Sequence, residues 1–273
     1  MKISASVTDT PGPFAPMLFS GDLPGCLDRA AAMGYDAVEL FILDPRETGI
    51  DWIARQVDSR GLSVNALGPG LACFKNGWSF AHPDPEVRKL ALDRVFDHIR
   101  LAAHWGASID VGGIRAKLSD DLELSRQQRL WVVECLQSCA KFAAPLGVSL
   151  AIEPLNRYET NFINTVSEAL ELLDLLDCPN TGLLLDSFHM NIEEPSIYDA
   201  IDAARGRILN IHLPDSNRQA PGRGHLDLAK IVAKLREVGY DHYLSMELLP
   251  IPSSDEAAQQ ALQYTRRLLA GLS

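Results

Sequence analysis

The feature that most constrains this chain is a repeated unit. A short run rich in β-branched residues ends in polar ones, an amphipathic stretch follows, and a glycine marks the return to the next run. The runs predicted as strands are Lys2–Val7, Ala37–Leu40, Ser63–Leu67, Ser108–Val111, Ser149–Glu153, Thr181–Asp186, Ile208–His212 and His242–Glu247. The stretches between them predict helices over about Asp22–Met33, Ile50–Arg60, Pro85–Trp105, Ser125–Leu146, Thr165–Leu176, Ser196–Ala204, Leu226–Val238 and Asp255–Ala270. Gly34, Gly61, Gly106, Gly147 and Gly239 each stand where a helix must end in a left-handed residue before the next strand. Gly34-Tyr35-Asp36 and Gly239-Tyr240-Asp241 read as one helix-to-strand turn solved twice.

Strict alternation of strand and helix calls for a parallel sheet. Eight repeats in 273 residues favour closure into a (β/α)₈ TIM barrel, one α/β domain over residues 1–273. No Gly-x-Gly-x-x-Gly follows the first strand, which counts against a dinucleotide-binding sheet.

The bulk properties remove other classes. The formal net charge is −11, which disfavours a nucleic-acid partner. No apolar run has the length of a membrane span, and Pro11, Gly12 and Pro13 stand where a secretory signal would carry its apolar stretch. Cys26, Cys73, Cys135, Cys139 and Cys178 contain no Cys-x-x-Cys and read as reduced thiols. The expected location is the cytoplasm.

In such barrels chemistry collects at the C-terminal ends of the strands. Strands five to eight end in Glu153, Asp186, His212 and Glu247. Alternate residues of a strand face the same side. On the fifth strand Leu150 and Ile152 face the helices and Glu153 points in. On the eighth, Leu244 and Met246 face out and Glu247 points in. Asp186 and His212 follow the same parity. Three carboxylates this close resist ionising together unless a divalent cation lies between them. Oxygen ligands plus one imidazole suit Mn²⁺ first, with Mg²⁺ or Co²⁺ as alternatives and Zn²⁺ less favoured. The competing reading is a buried polar network without metal.

The segments after these strands are distinctive: Glu153-Pro154-Leu155-Asn156-Arg157-Tyr158-Glu159-Thr160, Asp186-Ser187-Phe188-His189-Met190-Asn191-Ile192-Glu193-Glu194, and His212-Leu213-Pro214-Asp215-Ser216-Asn217-Arg218 running on to Gly224-His225. They resemble the xylose-isomerase-like barrels of the D-tagatose 3-epimerase and D-psicose 3-epimerase family. The resemblance spans the chain, with its specific motifs in the second half.

That resemblance implies a metal-dependent epimerase acting at C3 of a free ketose through a cis-enediolate. It implies that Glu153, Asp186, His212 and Glu247 hold one divalent metal, and that Glu153 and Glu247 also transfer the proton. It further implies that Glu159, His189 and Arg218 bind the O1–O3 end of a small sugar, and that the protein forms a homo-oligomer, a dimer or tetramer. Two other activities use the same machinery: aldose–ketose isomerisation, and a lyase or dehydratase reaction on an oxidised sugar, C-glycoside or cyclitol. An endonuclease-IV-like activity would need more histidines and a basic face.

Each polar residue has a plainer alternative. His189 could cap a helix, Arg218 could pair with Glu159, and Asn156 and Arg157 could simply fold their loop. Glu39 either orients a neighbour or touches substrate. His225 either caps the seventh helix or sits at the mouth. Arg115 either meets a polar or anionic group at the far end of the substrate or makes a surface salt bridge. The Cys73–Phe80 segment reads as a lid or as a subunit contact.

Overall fold

The computed structural model describes residues 1–12 and 15–271, and Pro13 lies outside them. The barrel strands are β1 (Lys2–Thr8), β2 (Ala37–Phe41), β3 (Ser63–Leu67), β4 (Ser108–Val111), β5 (Leu150–Ile152), β6 (Thr181–Asp186), β7 (Ile208–His212) and β8 (Tyr243–Met246). Each pairs in parallel with the next, and β8 closes on β1 through Lys2↔Tyr243 to Ala5↔Met246. A two-residue strand, Phe19–Ser20, lies beside the C-terminal end of β1. The predicted (β/α)₈ barrel is the observed fold.

The helices are α1 (Leu23–Met33), α2 (Pro45–Thr48), α3 (Ile50–Asp58), α4 (Leu71–Asn76), α5 (Pro85–Ala102), α6 (Leu122–Ala143), α7 (Val166–Leu176), α8 (Ser187–Glu193), α9 (Ile197–Ala203), α10 (Leu228–Glu237) and α11 (Ser254–Gly271). None of them is long and apolar enough to cross a membrane. Short polar side chains start most of them by accepting a hydrogen bond from an otherwise unpaired N–H of the first turn. Asp22 caps α1, Asp84 caps α5, Asp227 caps α10, and Thr165 with Glu168 forms a capping box on α7. Asp121 does the same for α6, which therefore begins at Leu122 rather than at the predicted Ser125. The five punctuating glycines all take positive φ, from 65 to 87°.

Apolar residues fill the space between strands and helices, while the inside of the barrel is polar. Ser4 and Ser245 share a hydrogen bond of 2.6 Å. Asn65 donates to Ser245 at 2.9 Å and to Asn210 at 3.2 Å, and Asn210 donates to Asp110 at 2.9 Å. Barrel interiors are usually packed with branched apolar side chains. Here a hydrogen-bonded layer forms the floor beneath the strand ends.

Candidate metal centre and sugar site

His212 is the hub. Its Nδ1 lies 3.5 Å from Glu153 Oε1, 3.7 Å from Asp186 Oδ2 and 3.6 Å from Glu247 Oε2. All four side chains are buried. Glu153 Oε1, Asp186 Oδ2 and His212 Nδ1 have no hydrogen-bond partner among the described residues. Buried polar atoms are normally paired, so three orphans facing one point need an occupant. Ligand atoms about 2.1 Å from a common ion sit roughly 3–4 Å apart, which matches these separations. The residues present therefore fit a divalent cation.

Several elements set this geometry. Asp186 and His212 are register partners across β6 and β7. Asp186 uses Oδ1 to cap α8 through Phe188 N–H at 2.7 Å, leaving Oδ2 aimed into the site. Glu153 follows β5, and a Cβ on Gly112 would sit 2.2 Å from Glu153 Oε2. Only glycine at position 112 leaves that carboxylate its place.

The electrostatics follow from crowding and burial. Burial alone would raise Asp186, but His189, His212 and Arg218 outweigh it and hold the carboxyl at about 2. Burial, with repulsion from Glu153 and Asp186, raises Glu247 to about 7 against the pull of Arg218 and His212. Burial would lower His212, yet Glu39 and Glu247 draw it well above the usual histidine range.

The other ring nitrogen of His212 faces Glu39. Nε2 lies 2.9 and 3.1 Å from the two Glu39 oxygens. Glu39 is fully buried and touches Asp110 on its far side. Burial, with the charge of Glu39, raises Asp110 well above its ordinary value. Glu39, Asp110 and His212 form a second close cluster. The orphaned atoms lie on the Nδ1 side, which makes the Glu39 side the support. Sequence reasoning left Glu39 open and did not single out Asp110. Extending strand parity to β2 and β4 finds both, since Glu39 and Asp110 are their inward-facing acids.

Around this centre the structure places the three residues expected to hold sugar. Asn156 donates to His189 Nδ1 from its backbone N–H at 3.3 Å and from Nδ2 at 2.8 Å. The proton of a neutral His189 therefore sits on Nε2. That atom is buried and has no hydrogen-bond partner among the described residues, and it lies 3.7 Å from Asp186 Oδ2 and 3.9 Å from Glu153 Oε1. Arg218 bonds Glu247 at 2.9 Å and Glu159 at 3.0 Å, and its guanidinium lies over the Phe188 ring. Arg218 takes a positive φ of 59° in a loop built around Asp215, whose carboxylate accepts the N–H groups of Ser216, Gly222 and Leu226.

The remaining polar residues are structural. Arg157, itself exposed, pairs with the covered carboxylate of Glu193 at 2.9 Å, folding its loop as expected. His225 bonds Ser216 at 2.9 Å on the surface. Arg115 fits neither sequence reading. It is buried, and it donates to the carbonyls of Val111, Phe162 and Glu153, so it clamps the ends of β4 and β5 from behind the site. Burial lowers it to about 10.

A cavity of about 550 Å³ opens over the centre, with Glu153, His212, Glu247, Arg218 and Glu159 among its lining. The family model described as the xylose isomerase-like TIM barrel matches residues 27–268. The chain belongs to the xylose isomerase-like TIM barrel family. It is 30% identical over 250 residues to an L-ribulose 3-epimerase of Mesorhizobium japonicum, covering 91% of this chain and 83% of the relative. It is 34% identical to a D-psicose 3-epimerase of Agrobacterium fabrum, covering 90% and 93%. The crystal structure of a D-allulose 3-epimerase from Methylomonas sp. in complex with D-allulose superposes with a TM-score of 0.83 at 25% identity, over 98% of this chain and 96% of that one.

Proposed function

We propose that this protein is a metal-dependent ketose 3-epimerase, an isomerase working as one domain over residues 1–273 in the cytoplasm. The observation that carries the reading is the pair Glu153 and Glu247. They end strands three steps apart around the ring, yet each brings an oxygen within 3.6 Å of His212 Nδ1 at the floor of a sugar-sized cavity. Family membership and the 3-epimerase activity of the relatives support it.

Inversion at C3 needs a base on one face of the substrate and an acid on the other. Glu153 and Glu247 fill these roles, and they exchange them when the reaction runs in reverse. His189 Nε2–H and the Arg218 guanidinium donate to the oxygens of the enediolate as charge grows there. Arg218 also holds Glu247 and Glu159 in place through its two ion pairs. Glu153, Asp186, His212 and Glu247 would hold one divalent ion, Mn²⁺ first and Mg²⁺ or Co²⁺ otherwise, which supplies Lewis-acid polarisation next to C3. We further propose a homo-oligomer, dimer or tetramer, to be read by light scattering.

The test is turnover of ketoses in deuterated buffer, followed by NMR. The expected result is exchange of the C3 proton with formation of the C3 epimer. Glu153→Gln and Glu247→Gln should each lower exchange by at least about a thousandfold, with metal content measured alongside. Substantial exchange in either variant removes that residue from the proton-transfer pair. Exchange at C1 or C2 would mean aldose–ketose isomerisation instead, and release of a leaving group would mean a lyase.

A further inference from the structure

We propose that the site carries an outer subsite for a second sugar ring, so that its preferred substrate is a ketose glycosylated at its far end. This rests on the epimerase reading above. A cavity of about 550 Å³ has room for roughly eighteen waters at about 30 Å³ each. A ketohexose has twelve heavy atoms, and because they are covalently linked they need less room than twelve waters. The cavity also opens at the barrel mouth, so it extends beyond a ketohexose held at the floor.

The leftover space has its own chemistry. The polar groups, Glu153, Glu159, His212, Arg218 and Glu247, gather at the floor. With O1–O3 held there, the remaining carbons project toward the part of the cavity lined by Met17, Phe41, Leu71, Phe74 and Lys75. Phe74 is 74% exposed although it lines the pocket. Its ring rests on backbone, because a Cβ on Gly113 would lie 3.0–3.1 Å from its ring carbons. One face of the ring thus lies against backbone while the other stays open to solvent. Together with Met17, Phe41 and Leu71 the ring makes a contiguous apolar lining of the kind that binds ligands, and the C–H face of a pyranose is the natural partner of such a ring. Lys75 follows it on α4, also lines the cavity, and makes no hydrogen bond or ion pair among the described residues. Its ammonium has three donors for hydroxyl groups of a second ring.

Isomaltulose, a glucose joined to O6 of fructose, is the direct probe because its C1–C3 region is unmodified. Metal-loaded protein is assayed for C3 exchange with isomaltulose, D-fructose and D-fructose 6-phosphate, and binding of each is read separately by saturation-transfer NMR. The expected kcat/KM is at least tenfold higher for isomaltulose than for D-fructose. Phe74→Ala, at an exposed position the fold does not need, should cut that ratio about tenfold, mainly through KM. Equal or better use of D-fructose overturns the proposal, as does a Phe74→Ala effect that is the same on both sugars. Preference for the phosphate also overturns it, since Lys75 would then serve an anion. If no sugar exchanges at C3, the epimerase reading fails. The subsite still stands if isomaltulose binds more tightly than D-fructose and Phe74→Ala removes the difference, and it falls if not.

Discussion

His212 uses both ring nitrogens, and each explains a different part of the site. Nδ1 faces three carboxylate oxygens at 3.5–3.7 Å, while Nε2 lies within 3.1 Å of both Glu39 oxygens. A ligand imidazole whose second nitrogen is held by a carboxylate is fixed in tautomer and direction, and it is a stronger donor to metal. Glu39→Gln keeps the shape but removes the charge that orients the ring. Loss of such a partner costs about 10–100-fold in metal affinity. Titration calorimetry of Mn²⁺ into the stripped protein should show a drop in that range, with far-UV circular dichroism unchanged. An affinity within twofold of the parent would mean that Glu39 does not support His212. The inward direction of the four expected ligands was legible from the two-residue period of strands. The bond from His212 to Glu39 was not, because it joins residues 173 positions apart on β7 and β2, and no local pattern reports which inward residues meet across a barrel.

Between residue and barrel, the short elements matter most. The strands and long helices were readable because each buries one face and shows its period over many residues. Three helices were not: α2, α4 and α8 are only 4, 6 and 7 residues long. Helices that short owe little to propensity and much to their ends. Asp44 accepts two N–H groups at the start of α2, and Asp186 starts α8. For the Cys73–Phe80 segment the sequence left a lid and a subunit contact both open for the same reason, since α4 is held by its surroundings. Asp186 has two tasks, a cap through Oδ1 and an inward oxygen through Oδ2, and substitutions can separate them. Asp186→Asn retains a capping oxygen and loses the charge, whereas Asp186→Ala loses both. Both variants should lose metal binding. In the metal-free protein the alanine variant should be less stable than the asparagine one by about 0.5–2 kcal/mol, the usual worth of a cap. Urea denaturation of the two side by side measures this, and equal stabilities would remove Asp186 from the capping role. Arg115 makes a comparable demand at the ends of β4 and β5. Arg115→Met removes the side-chain donor from three carbonyls, of which Val111 keeps the Glu153 N–H, and the relief of a buried charge offsets part of that loss. A net destabilisation of about 2–4 kcal/mol in urea is expected, without a change in the pattern of substrate preference.

At the scale of the whole molecule, the barrel concentrates like charges at one end and relies on protons or metal to tolerate them. In the metal-free protein Glu247 sits at about 7, above the ordinary carboxylate value, and His212 is raised as well. The folded state therefore binds protons here that the unfolded chain has released. Stability from these two groups is fully present below their unfolded values and falls as pH rises through the folded ones, so the metal-free protein weakens between about pH 5 and 8. Asp186 runs the other way, because its value is lowered to about 2. Its contribution is complete above about pH 4 and does not vary in that window. A bound divalent ion takes the place of the protons, so its affinity should climb across the same range while protons are released. The expected result is a rise in Tm on adding Mn²⁺ that is larger at pH 8 than at pH 6. Calorimetry in two buffers of different ionisation enthalpy should also show proton release near neutrality. In Glu247→Gln, which cannot bind that proton, part of the pH dependence should disappear. A metal-induced Tm shift that is flat from pH 6 to 8, with no proton release, would show that the four strand-end residues do not exchange protons for metal as one cluster.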